Sequence, residues 1–331
     1  MRPFTDNPDK RVVREMWDTP ILRFLHETYG ARYRYMGLPG VDLIDIKLWK
    51  DMIDEVVAFE PPDKSDSRRD SIISLRRNLK LLDVPGTAYF GSLEEVVTLR
   101  KDFDGTPYSQ EKLVTLYNFD FCDEISSAIN TRQGGRKVLR FEAIRQVLHD
   151  QVNCYQGTAG PNYFLFMLTI RNQMDAAKLA SFLKKPLLAE VKRFRDDCSQ
   201  LNQLPARGPL IGSHFWGLKT FLYNLLCQYF VSPNLSAVLL PLVAYQGTRV
   251  SRSLLSPMLH WIILCKFGSP ENETPDLFPP AFLTRCSVRV KRSGLEWQAE
   301  TGEHQTPSGL PNPVTLLRDH GSALLRELSV P

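Results

Sequence analysis

The feature that most constrains this chain is the repeated alternation of short apolar runs with longer amphipathic segments. The runs at 56–60, 86–90, 113–119 and 163–170 are rich in the β-branched and aromatic residues that favour strands. The last run, YFLFMLTI, has no polar alternation, as expected for a strand buried on both faces of a parallel sheet. Strands and helices alternating at this spacing predict a parallel sheet with right-handed crossovers.

Helices are predicted between these strands. A short aromatic run from Arg32 predicts the first strand, and the segment 42–55 after it has apolar residues near helical spacing. Further helical patterns cover 65–82, 93–101 and 141–155. The sequence therefore predicts an α/β protein.

The two ends of the chain depart from this pattern. Residues 1–30 predict a helical appendage that stops at a glycine, which can adopt a left-handed cap. The runs 236–244 and 258–267 predict an antiparallel hairpin at the sheet edge. Residues 269–331 form a predicted C-terminal extension, in which the alternating segment 285–292 favours an exposed strand.

Composition excludes several classes of protein. The 331 residues are 43% hydrophobic and 24% charged, which is typical of a globular chain, and a net charge of +4 gives no strong argument for a polyanionic partner. The 6 cysteines are scattered without zinc-ligand spacing, so we expect no metal. The N-terminus lacks an apolar signal segment, and the longest apolar runs are far shorter than the roughly 20 residues that span a bilayer. We therefore expect a cytoplasmic protein with no membrane contact.

Two features at predicted strand ends suit a nucleoside cofactor. Gly37 and Gly40 follow the first strand, where a cofactor that crosses the carboxyl ends of parallel strands needs a backbone without obstructing side chains. Glu60 ends the second strand about 20 residues later, where a carboxylate can accept hydrogen bonds from both ribose hydroxyls. The alternatives are a type II turn for the glycines and a surface carboxylate for Glu60.

The order of elements, with this glycine loop and acidic residue, resembles the class I S-adenosylmethionine (SAM)-dependent methyltransferases over about residues 32–267. The resemblance implies a Rossmann-like domain over 31–268, with a helical insertion at about 185–234. Its sheet would have seven mostly parallel strands, a terminal antiparallel hairpin and helices on both faces. The loop departs from the family pattern because only two glycines are present and Tyr33 or Tyr35 takes the place of an acidic residue.

The resemblance also implies roles for residues at two further strand ends. Ser92 and Leu93 lie in the position of the loop that holds adenine, although a serine followed by acidic residues is equally explained as a helix cap. Asn118 and Asp120 lie where related enzymes handle the methyl acceptor, but the prolines of the amino-methylating motif are missing. Cys122 is better explained as a small buried side chain than as a nucleophile.

The resemblance therefore implies a SAM-dependent methyltransferase in which the glycine loop, Glu60, Ser92 and Leu93 bind the cofactor, and Asn118 and Asp120 serve the chemistry. Nucleic acid is the first acceptor to consider. The alternative is a methyltransferase-like scaffold subunit that binds a protein partner and has lost catalysis, which the departures from both motifs favour. A nicotinamide-dependent dehydrogenase fits less well because the closing hairpin and the glycine loop do not suit it.

Overall fold

The protein is a mixed α/β structure with helices on both faces of one large sheet. A computed structural model describes residues 7–62, 69–121, 123–125, 127–130, 135, 137–157, 160–171, 235–246, 257–267, 286–291, 294–299 and 308–328. The predicted helical insertion and Cys122 lie outside these residues.

The first half of the chain supplies the parallel core of the sheet. Its elements, in order, are α1 (Pro8–Val13), a π-helical turn (Arg14–Asp18), α2 (Thr19–Tyr29), β1 (Tyr33–Gly37), α3 (Ile44–Trp49), a 3-10 turn (Lys50–Met52), β2 (Ile53–Glu60), α4 (Asp70–Leu81), β3 (Gly86–Phe90), α5 (Leu93–Leu99) and β4 (Leu116–Asp120).

The second half completes the sheet. Its elements are β5 (Ala128–Asn130), β6 (Lys137–Leu139), α6 (Arg140–Gly157), β7 (Tyr163–Arg171), β8 (Leu235–Leu239), β9 (Val243–Gln246), β10 (Pro257–Phe267), β11 (Cys286–Lys291), β12 (Gly294–Ala299) and α7 (Pro313–Arg326). The strands β5 and β6 form a separate two-stranded hairpin.

Ten strands of the described residues form the main sheet, in the order β12-β11-β9-β10-β7-β4-β1-β2-β3, with β8 also paired to β10. The pairs that join β3, β2, β1, β4 and β7 are all parallel, whereas β10 is antiparallel to β7, β8 and β9. The predicted mostly parallel sheet with a closing antiparallel pair is therefore confirmed. The implied count of seven strands is not, because β8 and β9 are separate strands and β11 and β12 add two more.

Two hydrophobic layers cover the sheet. One includes Trp17, Trp49, Leu75 and Leu317, which come from the N-terminal helices, α3, α4 and α7. The other includes residues of α5 and α6 such as Val96 and Ile144 packed on the opposite face. The predicted N-terminal helix does end at Gly30, which has a φ of 69°. Because Trp17 in this segment is 0% exposed, it packs into the sheet's core rather than lying apart from it.

The helix predicted over 42–55 is shorter than expected. It stops at Trp49, and β2 already begins at Ile53, which pairs with Tyr33. The last residues of the predicted helix instead pair with the segment of β1, since Arg32 binds Asp54 and Arg34 binds Glu55. Long-range strand pairing thus overrides the local helical periodicity.

The closing hairpin does not lie at the edge of the sheet. The strand predicted at 236–244 is interrupted, and β9 pairs in parallel with β11, where Val288 lies opposite Val243. Val288 is 0% exposed, so the segment 285–292 was wrongly predicted to form an exposed strand. The domain boundaries remain predictions, but the sheet continues into the predicted extension.

Candidate functional site

The carboxyl ends of β1 and β4 form the topological switch point of the sheet. From β1 the chain continues outward through β2 and β3, whereas β4 and β7 lie on the other side. Ligands of open α/β sheets bind in the crevice at such a point. Gly37 lies opposite Asn118 there, and the Leu38 amide donates to the Asn118 carbonyl at 3.3 Å.

The backbone at this strand end favours glycine at both predicted positions, Gly37 and Gly40. A Cβ atom on Gly37 would lie 2.3 Å from the Asn118 carbonyl oxygen and 2.7 Å from the Tyr35 hydroxyl. Gly40 has a φ of 65°, in the left-handed region that favours glycine. The strand end therefore needs both glycines for its own geometry, and a role in cofactor binding remains a prediction.

Glu60 ends β2 beside this loop, and its carbonyl accepts from the Gly91 amide at 2.9 Å. Burial raises the pKa of its carboxyl from 4.5 to about 7, and the nearby Ser71 hydroxyl acts in the opposite direction. Ser71 Oγ is itself buried without a hydrogen bond of ordinary geometry to any residue described. Within that part of the chain Glu60 has no ion-pair partner, so its negative charge is poorly compensated.

Ser92 and Leu93 follow β3 at the start of α5. The Ser92 hydroxyl accepts from the Glu95 amide at 3.2 Å, which makes Ser92 the helix cap considered in the sequence. Leu93 is 0% exposed and packs in the core. Neither side chain is therefore directed to a ligand, and any contact with adenine would use the backbone.

Asn118 and Asp120 lie two residues apart on β4, so their side chains point to the same face. The Asn118 amide donates to Asp45 Oδ2 at 2.9 Å. Asp120 forms an ion pair with Lys10 of α1, and the two side chains are largely buried. The structure thus brings the two predicted residues together, but each already has a protein partner.

The N-terminal segment supplies partners that sequence reasoning missed. Lys10, Arg14 and Asp18 recur every fourth residue, and each bonds to a different element. Arg14 pairs with Asp45 of α3, while Asp18 Oδ1 lies 2.8 Å from His260 Nε2 on β10. The four-residue spacing is a helical-face signal visible in the sequence, but their partners are distant along the chain.

Arg140 makes polar contacts that hold the loop after β4. Arg140 Nε donates to Glu94 Oε1 at 2.8 Å, and its Nη1 donates to the Glu124 carbonyl at 2.7 Å. The guanidinium lies 4.2 Å from the centre of the Phe121 ring. This buried arginine therefore links the start of α5 to the loop that follows the predicted chemistry residues.

An open cleft of about 400 Å³ lies elsewhere, lined by residues that include Arg100, Tyr108, Asp150 and Cys154. These residues precede β4 and β7, so the cleft is at the amino edge of the sheet, opposite the switch point. Among the described side chains, no three histidine, cysteine or acidic residues converge on a common metal position. No helix in the same part of the chain is both long and apolar enough to cross a membrane.

No protein-family profile and no curated protein matches this sequence. Among solved structures, the chain is similar to a putative O-methyltransferase from Klebsiella pneumoniae, with 10% identity, a TM-score of 0.35 and coverage of 80% of this chain and 91% of the other. It is also similar to a putative RNA methyltransferase from Pyrococcus horikoshii, with 12% identity, a TM-score of 0.34 and coverage of 81% and 93%. A putative methyltransferase from Streptococcus mutans in complex with SAH has 9% identity, a TM-score of 0.32 and coverage of 76% and 97%. Scores this low carry no argument about chemistry, and the fold assignment rests on the strand order and directions.

Proposed function

We propose that this protein is a SAM-dependent methyltransferase whose cofactor lies across the carboxyl ends of β1 and β2. The observation that carries the proposal is the position of Glu60. Its carboxylate ends β2 beside the glycine loop and has a pKa of about 7 because burial is not offset by a cation among the described residues. Ribose hydroxyls that donate to this carboxylate would compensate its charge.

The residues at the carboxyl ends of β1, β2 and β3 are compatible with bound SAM. Gly37 leaves no side chain between β1 and β4, and Gly40 turns the chain away from the strand end. Because Ser92 caps α5 and Leu93 is buried, adenine would be held by backbone groups after β3. When bound, SAM supplies a methyl group on a sulfonium, and the protein's contribution is to align the acceptor with it.

The acceptor would approach beside β4. Asp120, which is paired with Lys10, would accept a hydrogen bond from it. The hydrogen bond from the Asn118 side chain to Asp45 fixes the position of Asn118 at the end of β4. Nucleic acid remains the first acceptor proposed.

The second candidate is a methyltransferase-like scaffold subunit without catalysis. The observation that favours it is that both Asn118 and Asp120 are internally paired, so neither side chain needs a substrate. In this case the fold would serve to bind a protein partner.

Transfer of tritiated methyl from SAM into nucleic acid and protein fractions of a cell extract separates these candidates. The methyltransferase predicts incorporation by the wild type and a lower turnover in Asp120→Asn, with unchanged SAM affinity. Asp123→Asn is the matched control because Asp123 lies three residues away and is exposed. Absence of incorporation in every fraction, with proven SAM binding, would favour the scaffold.

A further inference from the structure

The helix α1 covers the carboxyl end of β4. Lys10 of α1 pairs with Asp120, and these side chains are only 18% and 7% exposed. The same helix packs against β9 and β11, on the far side of β10 and β7 from β4. The carboxylate that is proposed to meet the acceptor is therefore occupied, and an acceptor can reach it only if Lys10 is displaced.

Fewer apolar side chains anchor α1 than anchor the segment that follows it. The buried residues of α1 are Val12 and Val13. By contrast, Trp17 of the π-helical turn is 0% exposed. The helix α2 buries four apolar side chains, those of Ile21, Leu22, Phe24 and Leu25. Because segments with few buried apolar contacts open locally without global unfolding, α1 can open while α2 stays in place.

The junction between the two parts lies at the π-helical turn. The Thr19 hydroxyl donates to the Arg14 carbonyl at 2.7 Å and accepts from the Trp49 indole at 2.8 Å. The Arg14 side chain is paired with Asp45 of α3. The chain is therefore fixed to α3 from Arg14 onward, and a movement of α1 would begin just before this turn. Short π-helical turns are frequent at functional sites.

We propose that α1 is a lid over the acceptor side of the site, held closed by the Lys10–Asp120 ion pair. In the closed form Lys10 compensates the buried carboxylate. In the open form α1 moves away at the π-helical turn, and a hydrogen-bond donor of the acceptor replaces the Lys10 ammonium, so Asp120 has a partner in both forms. The part played by the acceptor rests on the proposed function, whereas the opening of α1 does not.

Hydrogen exchange of the full chain, followed by NMR, tests the opening. The Arg11, Val12 and Val13 amides of α1 should be protected at least about tenfold less than the amides of residues 23–28 in α2. Their protection should change little in urea below the unfolding transition, because opening of one short helix exposes little surface. Equal protection of α1 and α2, with the same urea dependence, would show that α1 opens only when the whole domain unfolds and would overturn the inference.

A double-mutant cycle tests the ion pair that closes the lid. Lys10→Met and Asp120→Asn should each lower the protection of the α1 amides about tenfold, and the double variant should lower it little further, because the same pair is lost in all three. Lys47→Met is the matched control, since Lys47 is exposed on α3, and it should leave α1 unchanged. Fully additive effects, or no effect in folded variants, would overturn the inference. Should a variant not fold, the comparison of α1 with α2 in the wild type decides.

A binding measurement separates the lid from the proposed function. S-adenosylhomocysteine (SAH), the demethylated product of SAM, should bind folded Lys10→Met within about threefold of its affinity for the wild type, because the cofactor is proposed to lie on β1 and β2 and not beside Lys10. A loss of more than about tenfold would assign Lys10 to the cofactor side and overturn the inference. If SAH does not bind the wild type, the proposed function fails, while the exchange measurements still decide whether α1 is a lid.

Discussion

Glu60 and Asp120 are two carboxylates that end parallel strands at the same edge of the sheet, but their surroundings differ. Asp120 is paired with Lys10, which comes from the N-terminal helix. Glu60 has a neighbouring hydroxyl and no cationic partner among the described residues, and its pKa is raised to about 7. Among the described residues, the charge of Asp120 is therefore compensated by a protein cation and the charge of Glu60 is not.

This contrast divides the edge into two halves. The half formed by β1 and β2 has Gly37 at the end of β1 and, at Glu60, a carboxylate without a cationic partner among the described residues. The half formed by β4 is completed by residues of the protein itself. If SAM binds as proposed, it would complete the first half of this edge whether or not catalysis is retained.

The largest effect on stability is expected when Asp120 loses its cationic partner, so that its carboxylate, like that of Glu60, has no cation beside it among the described residues. Lys10→Met leaves the buried Asp120 carboxylate without its cation, which should lower the free energy of unfolding by about 2–4 kcal/mol at pH 8. Denaturant unfolding measures this change. Lys47→Met is the control because Lys47 is exposed on α3, and a loss of equal size there would contradict the importance of the ion pair.

The opposite change in stability is expected when the charge of Glu60 is removed. Its folded-state pKa is raised to about 7 from 4.5, so the folded protein binds the proton more tightly than the unfolded chain, and stability falls as the pH rises through this interval. Glu60→Gln should therefore stabilise the ligand-free protein by up to about 3 kcal/mol at pH 8. It should have no such effect near pH 4, where both states are protonated. Unfolding curves at the two pH values test this, and a pH-independent difference would remove the buried charge from the account.

A smaller effect is expected on ligand affinity. If the ribose hydroxyls donate to ionised Glu60, the affinity of the wild type for SAH should rise about tenfold between pH 6 and pH 8. Glu60→Gln should bind SAH more weakly at pH 8, by about 1–3 kcal/mol, and should lose this pH dependence. Calorimetric titrations of both proteins provide the comparison. The same pH profile in the variant would assign the titration to another group.

The smallest effect is expected at Ser92, which the sequence placed at adenine. Because its hydroxyl caps α5, Ser92→Ala should cost about 1 kcal/mol of stability. Its affinity for SAH, measured under conditions in which the variant is folded, should equal that of the wild type. A selective loss of affinity without a loss of stability would restore the direct role in binding.

The fold was predictable to the extent that local patterns decide it. The strand β7 was found within one residue of its observed bounds because its apolar residues are continuous along the chain. The helix over 42–55 was too long because Ile53 continues the apolar spacing of a helix, whereas in the fold it begins β2 and pairs with Tyr33. Burial of Val288 depends on β9, a strand more than 40 residues away in sequence, so β11 had no local signal for its position.

In the candidate site, too, local sequence spacing was predictable and long-range contacts were not. The position of Gly37, Gly40 and Glu60 at neighbouring strand ends was predictable because spacing along the chain carries that information, while their role in binding stays a prediction. Lys10 and Asp45 were missed because their roles arise from contacts with β4 that are formed only in the folded structure.

The central claim is that the edge formed by β1 and β2 binds the cofactor of a methyltransferase. Calorimetric titration of the folded wild-type protein with SAH at pH 8, where Glu60 is mostly ionised, tests it most directly. The account predicts saturable binding with a dissociation constant between the low-micromolar and millimolar range, or about 4 to 8 kcal/mol. No heat of binding at millimolar SAH, from protein shown to be folded, would contradict it.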